Sequence, residues 1–117
     1  DTTPELEVRS VLHQLGCRFA RRVSLPGKPD IMMPARRSIV MVHGCFWHRH
    51  PDRKCALARL PKSRLDFWRP KLEANRLRDE KNQVELETLG WAVMVVWECQ
   101  MKDLESMTRR IRRFLDK

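Results

Sequence analysis

The sequence predicts an α/β fold, a sandwich in which helices cover a small mixed β-sheet. Apolar runs at residues 31–33, 38–42 and 91–97 have the composition of strands that are covered on both faces. They alternate with longer segments whose apolar residues recur at helical spacing. The chain has 117 residues, of which 42% are hydrophobic, so it can build one compact core. We therefore expect a single domain over residues 1–117.

The first half of the chain predicts a helix that is followed by strands. An amphipathic helix is expected over residues 4–15, and Gly16 is suited to end it. A first strand is expected near residues 19–22. The Pro/Gly turn SLPGKPD then leads into the strand at residues 31–33, so Asp30 stands at the start of that strand.

The second half predicts two helices on either side of one strand. A long, strongly charged helix is expected from about residue 71 to residue 89, with Gly90 as its stop. The strand at residues 91–97 follows, and a final amphipathic helix covers residues 104–115. The predicted order is therefore helix, three strands, helix, strand and helix, which is an α/β sandwich.

The charge of the chain indicates a polyanionic partner. Lys and Arg number 24 against 15 Asp and Glu, which leaves a formal net charge of +9. Nucleic acid is the first candidate for such a surface. The alternative is a basic surface that is merely solvated. The charge alone does not decide between them.

The sequence shows no export signal and no apolar run of membrane-spanning length. We therefore expect a soluble, cytoplasmic protein. Four cysteines could form two disulfides in a secreted protein, but in this chain Cys45, Cys55 and Cys99 are better suited to metal binding. Cys17 has no histidine near it in sequence, so we expect it to be a small buried apolar residue.

The segment VHGCFWHRHPDRKC combines metal ligands with aromatic and basic residues. A tetrahedral zinc site needs four ligands, and Cys45, Cys55 and one of His48 or His50 lie close enough in sequence to share an ion. Cys99 can supply the fourth ligand if the last strand lies beside the strand at residues 38–42. The alternative is a set of unligated buried thiols. Structural zinc is the favoured interpretation.

Histidines that do not bind zinc predict a catalytic site. A histidine near a phosphodiester can activate water, and a second can stabilise charge at the phosphate. Asp30 could hold a magnesium ion at the start of one strand, close to the point where the next strand reaches His43. Taken one at a time, such residues are usually a surface histidine or a capping Asp, but together they predict a site.

Three aromatic residues are candidates for contact with DNA. Phe46 and Trp47 lie in the loop between two of the predicted metal ligands, and Trp68 follows in a basic stretch. Large apolar side chains of this kind can enter a base step and open it. The alternative is a core position, which we prefer for Trp91 and Trp97 because they belong to an apolar strand.

The motifs SLPGKPDI, VHGCFWHRH, DFW and LGWAVMVVWEC, in this order, resemble those of the very-short-patch mismatch repair (Vsr) endonucleases. The similarity extends from TPELEVRSVL to about Cys99. It implies a restriction-endonuclease-like sandwich with a structural zinc site. It also implies a magnesium-dependent enzyme that nicks one DNA strand beside a T:G mismatch left by deamination of 5-methylcytosine. The resemblance implies a monomer of bacterial type that associates with the nucleoid. Its implied partner is double-stranded DNA, with possible contacts to other mismatch-repair proteins.

The resemblance also implies roles for individual residues. Asp30 would bind magnesium together with the backbone carbonyl of Val42, where many members have Thr. His48 would be the general base and His43 would assist at the phosphate. Glu7 would lie behind them and orient a histidine or a metal-bound water. The implied zinc ligands are Cys45, His50, Cys55 and Cys99, and the implied intercalating residues are Phe46, Trp47 and Trp68.

Basic residues near Trp68 are candidates for phosphate contacts, namely Lys62, Arg64 and Arg69. The RRIRRF segment is interpreted instead as a solvated face of the last helix. The sequence begins at the TPELE helix, so the family's N-terminal arm is expected to be absent, and the HPDRKC spacer is longer than in some relatives. Two alternatives remain, a Vsr-like nuclease of a phage-defence or mobile-element system with another DNA specificity, and a zinc-stabilised DNA-binding module without catalysis.

Overall fold

The computed structural model describes residues 3–21 and 24–116. Helices and strands follow in the predicted order, so the predicted α/β fold with a mixed sheet is confirmed. Residue 22, which ends the predicted first strand, lies outside the described residues. The elements are α1 (Thr3–Gln14), β1 (Ala20–Arg21), β2 (Ile31–Met33), β3 (Ser38–His43), α2 (Leu65–Thr88), β4 (Ala92–Trp97) and α3 (Leu104–Leu115), with short 3-10 helices at Pro34–Arg36, Ala56–Ala58 and Glu98–Lys102.

The sheet has four strands in the order β1-β2-β3-β4. The first three pair antiparallel, and β3 pairs parallel with β4 over the register from Ser38↔Ala92 to His43↔Trp97. Because β3 and β4 end at the same edge of the sheet, the segments that follow His43 and Trp97 begin side by side. This pairing meets the condition under which Cys99 was predicted to join the loop ligands.

Helices pack on both faces of the sheet. On one face α1 and α3 form the larger core with apolar side chains of β2, β3 and β4. On the other face Leu86 of α2 packs against Ile39 and Met41 of β3. Cys17, which was predicted to be a small buried apolar residue, packs against the margin of the larger core but is only partly buried. The larger core contains Val8, Val11, Leu12, Ile31, Met33, Val40, Val96, Met107, Ile111 and Leu115.

Local signals explain where the outer helices end. Gly16, with φ +77°, follows α1, and its backbone N–H donates to the carbonyl of His13. A glycine at this left-handed position closes a helix without the steric penalty of a side chain. At the start of α3, the Asp103 carboxylate accepts a hydrogen bond from the Ser106 N–H at 3.0 Å.

Among the described residues, no helix is long and apolar enough to cross a membrane.

The start of α2 differs from the prediction. The helix begins at Leu65, six residues before the expected start at Lys71, and it includes Pro70. Proline has no N–H to donate and usually interrupts a helix, which is why the sequence pattern placed the boundary after it. Here Pro70 lies in the second turn of the helix. As a result Trp68, which was predicted to lie in a basic stretch before the helix, is instead part of α2.

Gly27 lets the SLPGKPD turn pack closely against α2. Its φ is +77°, and a Cβ at this position would lie 3.0 Å from side-chain atoms of Asn82. Both the backbone conformation and the close approach favour glycine. The turn therefore fixes the chain just before Asp30 and β2.

Candidate active site and metal centre

The loop that follows β3 supplies most of the candidate site. We call residues 44–55 the ligand loop. Its backbone turns tightly, with hydrogen bonds from the His48 N–H to the Gly44 carbonyl and from the His50 N–H to the Cys45 carbonyl, at 3.1 and 3.0 Å. The side chains of the loop face two different neighbours. One set of side chains meets the segment after β4, and the other meets α2.

The first set forms the sulfur cluster, which consists of Cys45, His50, Cys55 and Cys99. Their ligand atoms all lie within 4.8 Å of one another. The Sγ of Cys99 lies 3.5 Å from Nδ1 of His50, and the Cys99 N–H donates to the Sγ of Cys45 at 3.4 Å. These are the four residues that the resemblance implied as zinc ligands, and the fold brings them together from two separate segments.

The chemistry of the sulfur cluster fits a metal ion. Three sulfurs and one imidazole nitrogen around a common point are a donor set typical of tetrahedral zinc. Cys45 is fully buried, and this burial raises the pKa of its thiol to about 12 in the metal-free chain. A bound cation would supply the positive charge that compensates a buried thiolate. The cluster could therefore hold a metal.

The second set forms the histidine cluster, which consists of His43, His48 and Asp79. The rings of His43 and His48 are stacked, with centroids 4.0 Å apart and planes 6° from parallel. The Nδ1 of His48 lies 2.6 Å from the Asp79 carboxylate. Because a carboxylate accepts hydrogen bonds, Nδ1 carries the proton, and Nε2 is left with its lone pair. The cluster thus holds a nitrogen base in a fixed orientation.

The two histidines of this cluster differ in exposure. His43 is 7% exposed, and burial together with the neighbouring His48 lowers its pKa to about 4, against a smaller opposing effect of Asp79. His43 is therefore neutral near pH 7. The side chain of His48 is 32% exposed, and that of its partner Asp79 is 23% exposed. His48 can thus meet a substrate from the solvent side.

Sequence reasoning missed Asp79. It stands in the charged stretch EANRLRDEKNQ, within the helix that was predicted only as strongly charged. The signal that could have found it is a period of three or four residues: Trp68, Lys71, Asn75 and Asp79 recur along α2 on the face that meets the ligand loop. Asn75 donates from Nδ2 to the carbonyl of Trp47 at 3.2 Å, one turn before Asp79.

Trp97 was predicted to be a core residue, and this prediction is wrong. Its ring stacks on His50 at 4.4 Å and meets the edge of His43 at 5.2 Å. It is partly buried and lies between the two clusters rather than within the two hydrophobic cores. Trp91 does pack against the smaller core, and the Arg37 guanidinium lies 4.7 Å from its ring centroid.

Asp30 and Val42 lie side by side. A carboxylate oxygen of Asp30 accepts a hydrogen bond from the Val42 N–H at 2.8 Å, between the start of β2 and the end of β3. This contact uses one oxygen of the carboxylate and leaves the other as a potential metal ligand. Val42 is directly followed by His43, so the carboxylate lies close in the fold to the end of β3.

Glu7 has different neighbours from those implied by the resemblance. It lines a groove between α1 and α3, together with Ser10, Leu104 and Thr108. Within the described residues, the histidine cluster is completed by Asp79 and does not include Glu7. The role of Glu7 in orienting a histidine stays a prediction.

Four rings form an exposed aromatic cluster beside the histidines: Phe46, Trp47, Phe67 and Trp68. Trp68 lies edge-on to Phe46 and Trp47, with centroids 5.4 and 5.9 Å away. Trp47 is 48% exposed and Phe67 is 44% exposed. Phe67 was not predicted, although it stands in the same DFW motif. Large rings this exposed are uncommon on a surface without a partner.

Basic side chains surround the aromatic cluster. The Lys71 Nζ lies 5.6 to 5.9 Å from the ring centroids of Trp47, Phe67 and Trp68. The Arg64 guanidinium lies 4.9 Å from the centroid of Phe67. The predicted phosphate contacts Lys62, Arg64 and Arg69 are all exposed at the start of α2. The surface beside the histidine cluster therefore combines flat apolar rings with positive charge.

Comparison with known proteins connects this geometry to an activity. Residues 1–55 match the family model described as DNA mismatch endonuclease Vsr. Over 117 residues the chain is 51% identical to the type II nicking enzyme V.XorIIP of Xanthomonas oryzae pv. oryzae, covering 99% of this chain and 84% of the relative. This chain belongs to the Vsr family. It is therefore a DNA endonuclease, and the predicted resemblance is confirmed.

Other members of the Vsr family are nearly as well covered. The chain is 40% identical over 116 residues to the type II nicking enzyme V.NmeAIP of Neisseria meningitidis, covering 98% of this chain and 81% of the relative. It is 38% identical over 109 residues to the DNA mismatch endonuclease Vsr of Escherichia coli, covering 92% of this chain and 68% of that protein. A non-catalytic DNA-binding module is accordingly no longer needed to explain the chain.

Proposed function

We propose that this Vsr endonuclease nicks one strand of duplex DNA next to a T:G mismatch, with magnesium as its catalytic metal. The observation that carries the proposal is the 2.6 Å contact between His48 and Asp79. The His48 ring stacks on His43, and the exposed aromatic cluster lies beside it. A general base and a surface able to open a base step thus lie on one short loop. The relatives named for mismatch and nicking activity support the same reading.

In the proposed reaction, His48 accepts a proton from the attacking water at Nε2. Asp79 stabilises the imidazolium that forms and keeps the ring oriented, as a carboxylate behind a histidine does in other hydrolases. His43, which is neutral near pH 7, donates a hydrogen bond to a phosphate oxygen. Because the two rings are stacked, both groups would be able to reach the same phosphodiester.

Asp30 and the backbone carbonyl of Val42 would hold the magnesium ion. The fit is supported by the Asp30 carboxylate, whose second oxygen is left for a hard cation beside the β3 backbone. When bound, magnesium neutralises charge on the phosphate and stabilises the leaving oxygen.

The sulfur cluster would hold zinc in a structural role. A metal there would tie the ligand loop to the segment after β4, and so would help to position His48 and Trp47 of the same loop against α2. We propose that residues 1–117 form one domain in which the helices and strands have a restriction-endonuclease-like arrangement. This domain would act as a monomer on bacterial DNA in the cytoplasm.

The aromatic cluster would recognise the mismatch by entering the duplex. Opening a base step costs roughly a few kcal/mol, and the cost is smallest where pairing is already weak. Phe46, Trp47 and Trp68 would therefore insert more readily beside a T:G pair than beside a C:G pair. Lys62, Arg64 and Arg69 would contact the flanking phosphates.

Strand-specific nicking tests the proposal. Two end-labelled duplexes that differ only in T:G or C:G at one position are incubated with the enzyme, with magnesium or with EDTA. The proposal expects cleavage of the thymine strand of the T:G duplex, in magnesium only, and its loss in Asp30→Ala. Equal cleavage of both duplexes would keep the nuclease and reject mismatch specificity, and cleavage in EDTA would reject the magnesium assignment.

A further inference from the structure

A second polar surface lies on the ligand loop, apart from the histidine cluster. The later half of the loop and the start of the following segment line a groove of about 460 Å³. We call it the basic groove, because its lining includes five basic side chains and the acidic side chain of Asp52. The basic residues are Arg49, Arg53, Lys54, Arg59 and Arg76.

The positive charge of the groove is only partly compensated. Arg76 is held by Glu73 and Glu80 along α2, so its charge is largely neutralised. Arg49 donates to the Ala58 carbonyl at 2.6 Å, which fixes its side chain but leaves its charge in place. Arg53, Lys54 and Arg59 are exposed. Four cations thus remain against Asp52, and the groove attracts anions.

The backbone under these cations is held at both ends. Arg53 and Lys54 belong to the spacer between His50 and Cys55, two members of the sulfur cluster. Within the spacer, the Lys54 N–H donates to the Asp52 side chain at 2.9 Å. The basic side chains therefore project from a constrained turn rather than from a free loop, and less conformational entropy is lost when they bind a ligand.

We propose that the basic groove is a second DNA-backbone site, which binds phosphates of the same duplex outside the step that is nicked. This inference rests on the proposed function, since it takes the histidine and aromatic clusters to face the duplex. Asn75 of α2 donates to the Trp47 carbonyl, and the next residue, Arg76, lines the groove, so a duplex held at the aromatic cluster would continue towards the groove. Among the described residues that line the groove, none belongs to the aromatic cluster, and His50 has the one aromatic ring. The groove thus suits phosphates rather than base edges.

The test compares two pairs of charge-removing substitutions. Arg53→Ala/Lys54→Ala removes two cations from the groove, and Arg110→Ala/Arg113→Ala removes two exposed cations from α3, which does not line it. Dissociation constants for T:G and C:G duplexes are measured by fluorescence anisotropy across a salt series. The groove variant is expected to bind both duplexes about tenfold more weakly at 0.1 M salt, as two lost phosphate contacts predict.

The salt dependence distinguishes phosphate contacts from indirect effects. Each lost contact should lower the slope of log K against log salt by about one, so the groove variant should lose about two and the α3 variant much less. Zinc content is measured in the same preparations. If the double substitution releases zinc, Arg59→Ala, which lies outside the spacer, replaces it with an expected slope change of about one.

Shortening the duplex locates the contact. Removing base pairs stepwise from one flank or the other should weaken binding by the native protein on one side, and the groove variant should be insensitive to that same truncation. An unchanged salt slope in the groove variant, or equal changes in both variants, would overturn the inference. Nicking by the native protein reports the proposed function separately, so a failure of mismatch nicking with a changed slope would reject that function and keep the groove.

Discussion

The two clusters of the ligand loop are built differently. The sulfur cluster joins loop residues to the end of β4, and its Cys45 is completely buried. The histidine cluster joins the end of β3 and the loop to α2. In this cluster the side chain of His48 is 32% exposed and that of Asp79 is 23% exposed. One loop thus carries a closed side, for which we propose a structural role, and an open side, for which we propose a catalytic role. We expect substitutions in the two clusters to separate stability from rate.

The largest expected effect is on the chemical side. His48→Ala should lower the single-turnover nicking rate by about a thousandfold or more, because a general base contributes roughly 10²- to 10⁴-fold and its loss also unpairs Asp79. Melting temperature and zinc content should change little. His13→Ala, an exposed histidine of α1, is the matched control. A rate within tenfold of the native value would remove His48 from the mechanism.

The next effect is on the structural side. Cys99→Ser should lower zinc stoichiometry and should destabilise the fold by about 3 kcal/mol, since ligation free energy is folding free energy. For a domain of this size that loss corresponds to a fall in melting temperature of roughly 10 °C or more. Cys17→Ser, a cysteine outside the cluster, should keep its zinc. Full zinc occupancy in Cys99→Ser would contradict the assignment.

A smaller effect tests the contact that sequence reasoning missed. Asp79→Asn should reduce the nicking rate by about 10- to 100-fold, because the carboxylate that orients His48 and stabilises its protonated form is lost. DNA affinity and melting temperature should stay near native values. Asp116→Asn, the same chemical change beyond the end of α3, controls for the loss of one negative charge. An unchanged rate would reduce the 2.6 Å contact to a structural one.

The smallest effect concerns recognition. Trp68→Ala should weaken binding to a T:G duplex by about tenfold, as expected when one stacking contact worth about 1–3 kcal/mol is lost. Binding to a C:G duplex should change less, because that base step is opened less readily. Trp91→Phe, which alters a ring in the smaller core, is the control for a lost indole. Equal weakening for both duplexes would assign Trp68 to general affinity.

The sequence predicted the parts of the molecule that local patterns determine. Short apolar runs predicted the strands, and the ligand spacing of the loop, with the family resemblance, predicted which side chains would meet in the sulfur cluster. Cys99 could be included because it follows a strand directly, and parallel strand ends share an edge of the sheet. These are consequences of chain connectivity and backbone pairing, which a sequence pattern records.

Three features of the site could not be predicted from the sequence, namely the role of Asp79, the start of α2 and the position of Trp97. Asp79 is one charge among many on a polar helix, and only the placement of that helix against the loop distinguishes it from its neighbours. The start of α2 was missed because Pro70 usually marks a boundary. Trp97 was assigned to the core because its strand is apolar, although it is the last residue of that strand and stacks on the site instead.

His48 and His50 are only two residues apart, and they belong to different clusters. Zinc stoichiometry of His48→Ala and His50→Ala, purified in parallel with the native protein, tests this assignment most directly. We expect His48→Ala to retain the native zinc content and His50→Ala to lose most of it. Loss of zinc from His48→Ala with retention in His50→Ala would contradict the division of the loop into a metal-binding side and a catalytic side.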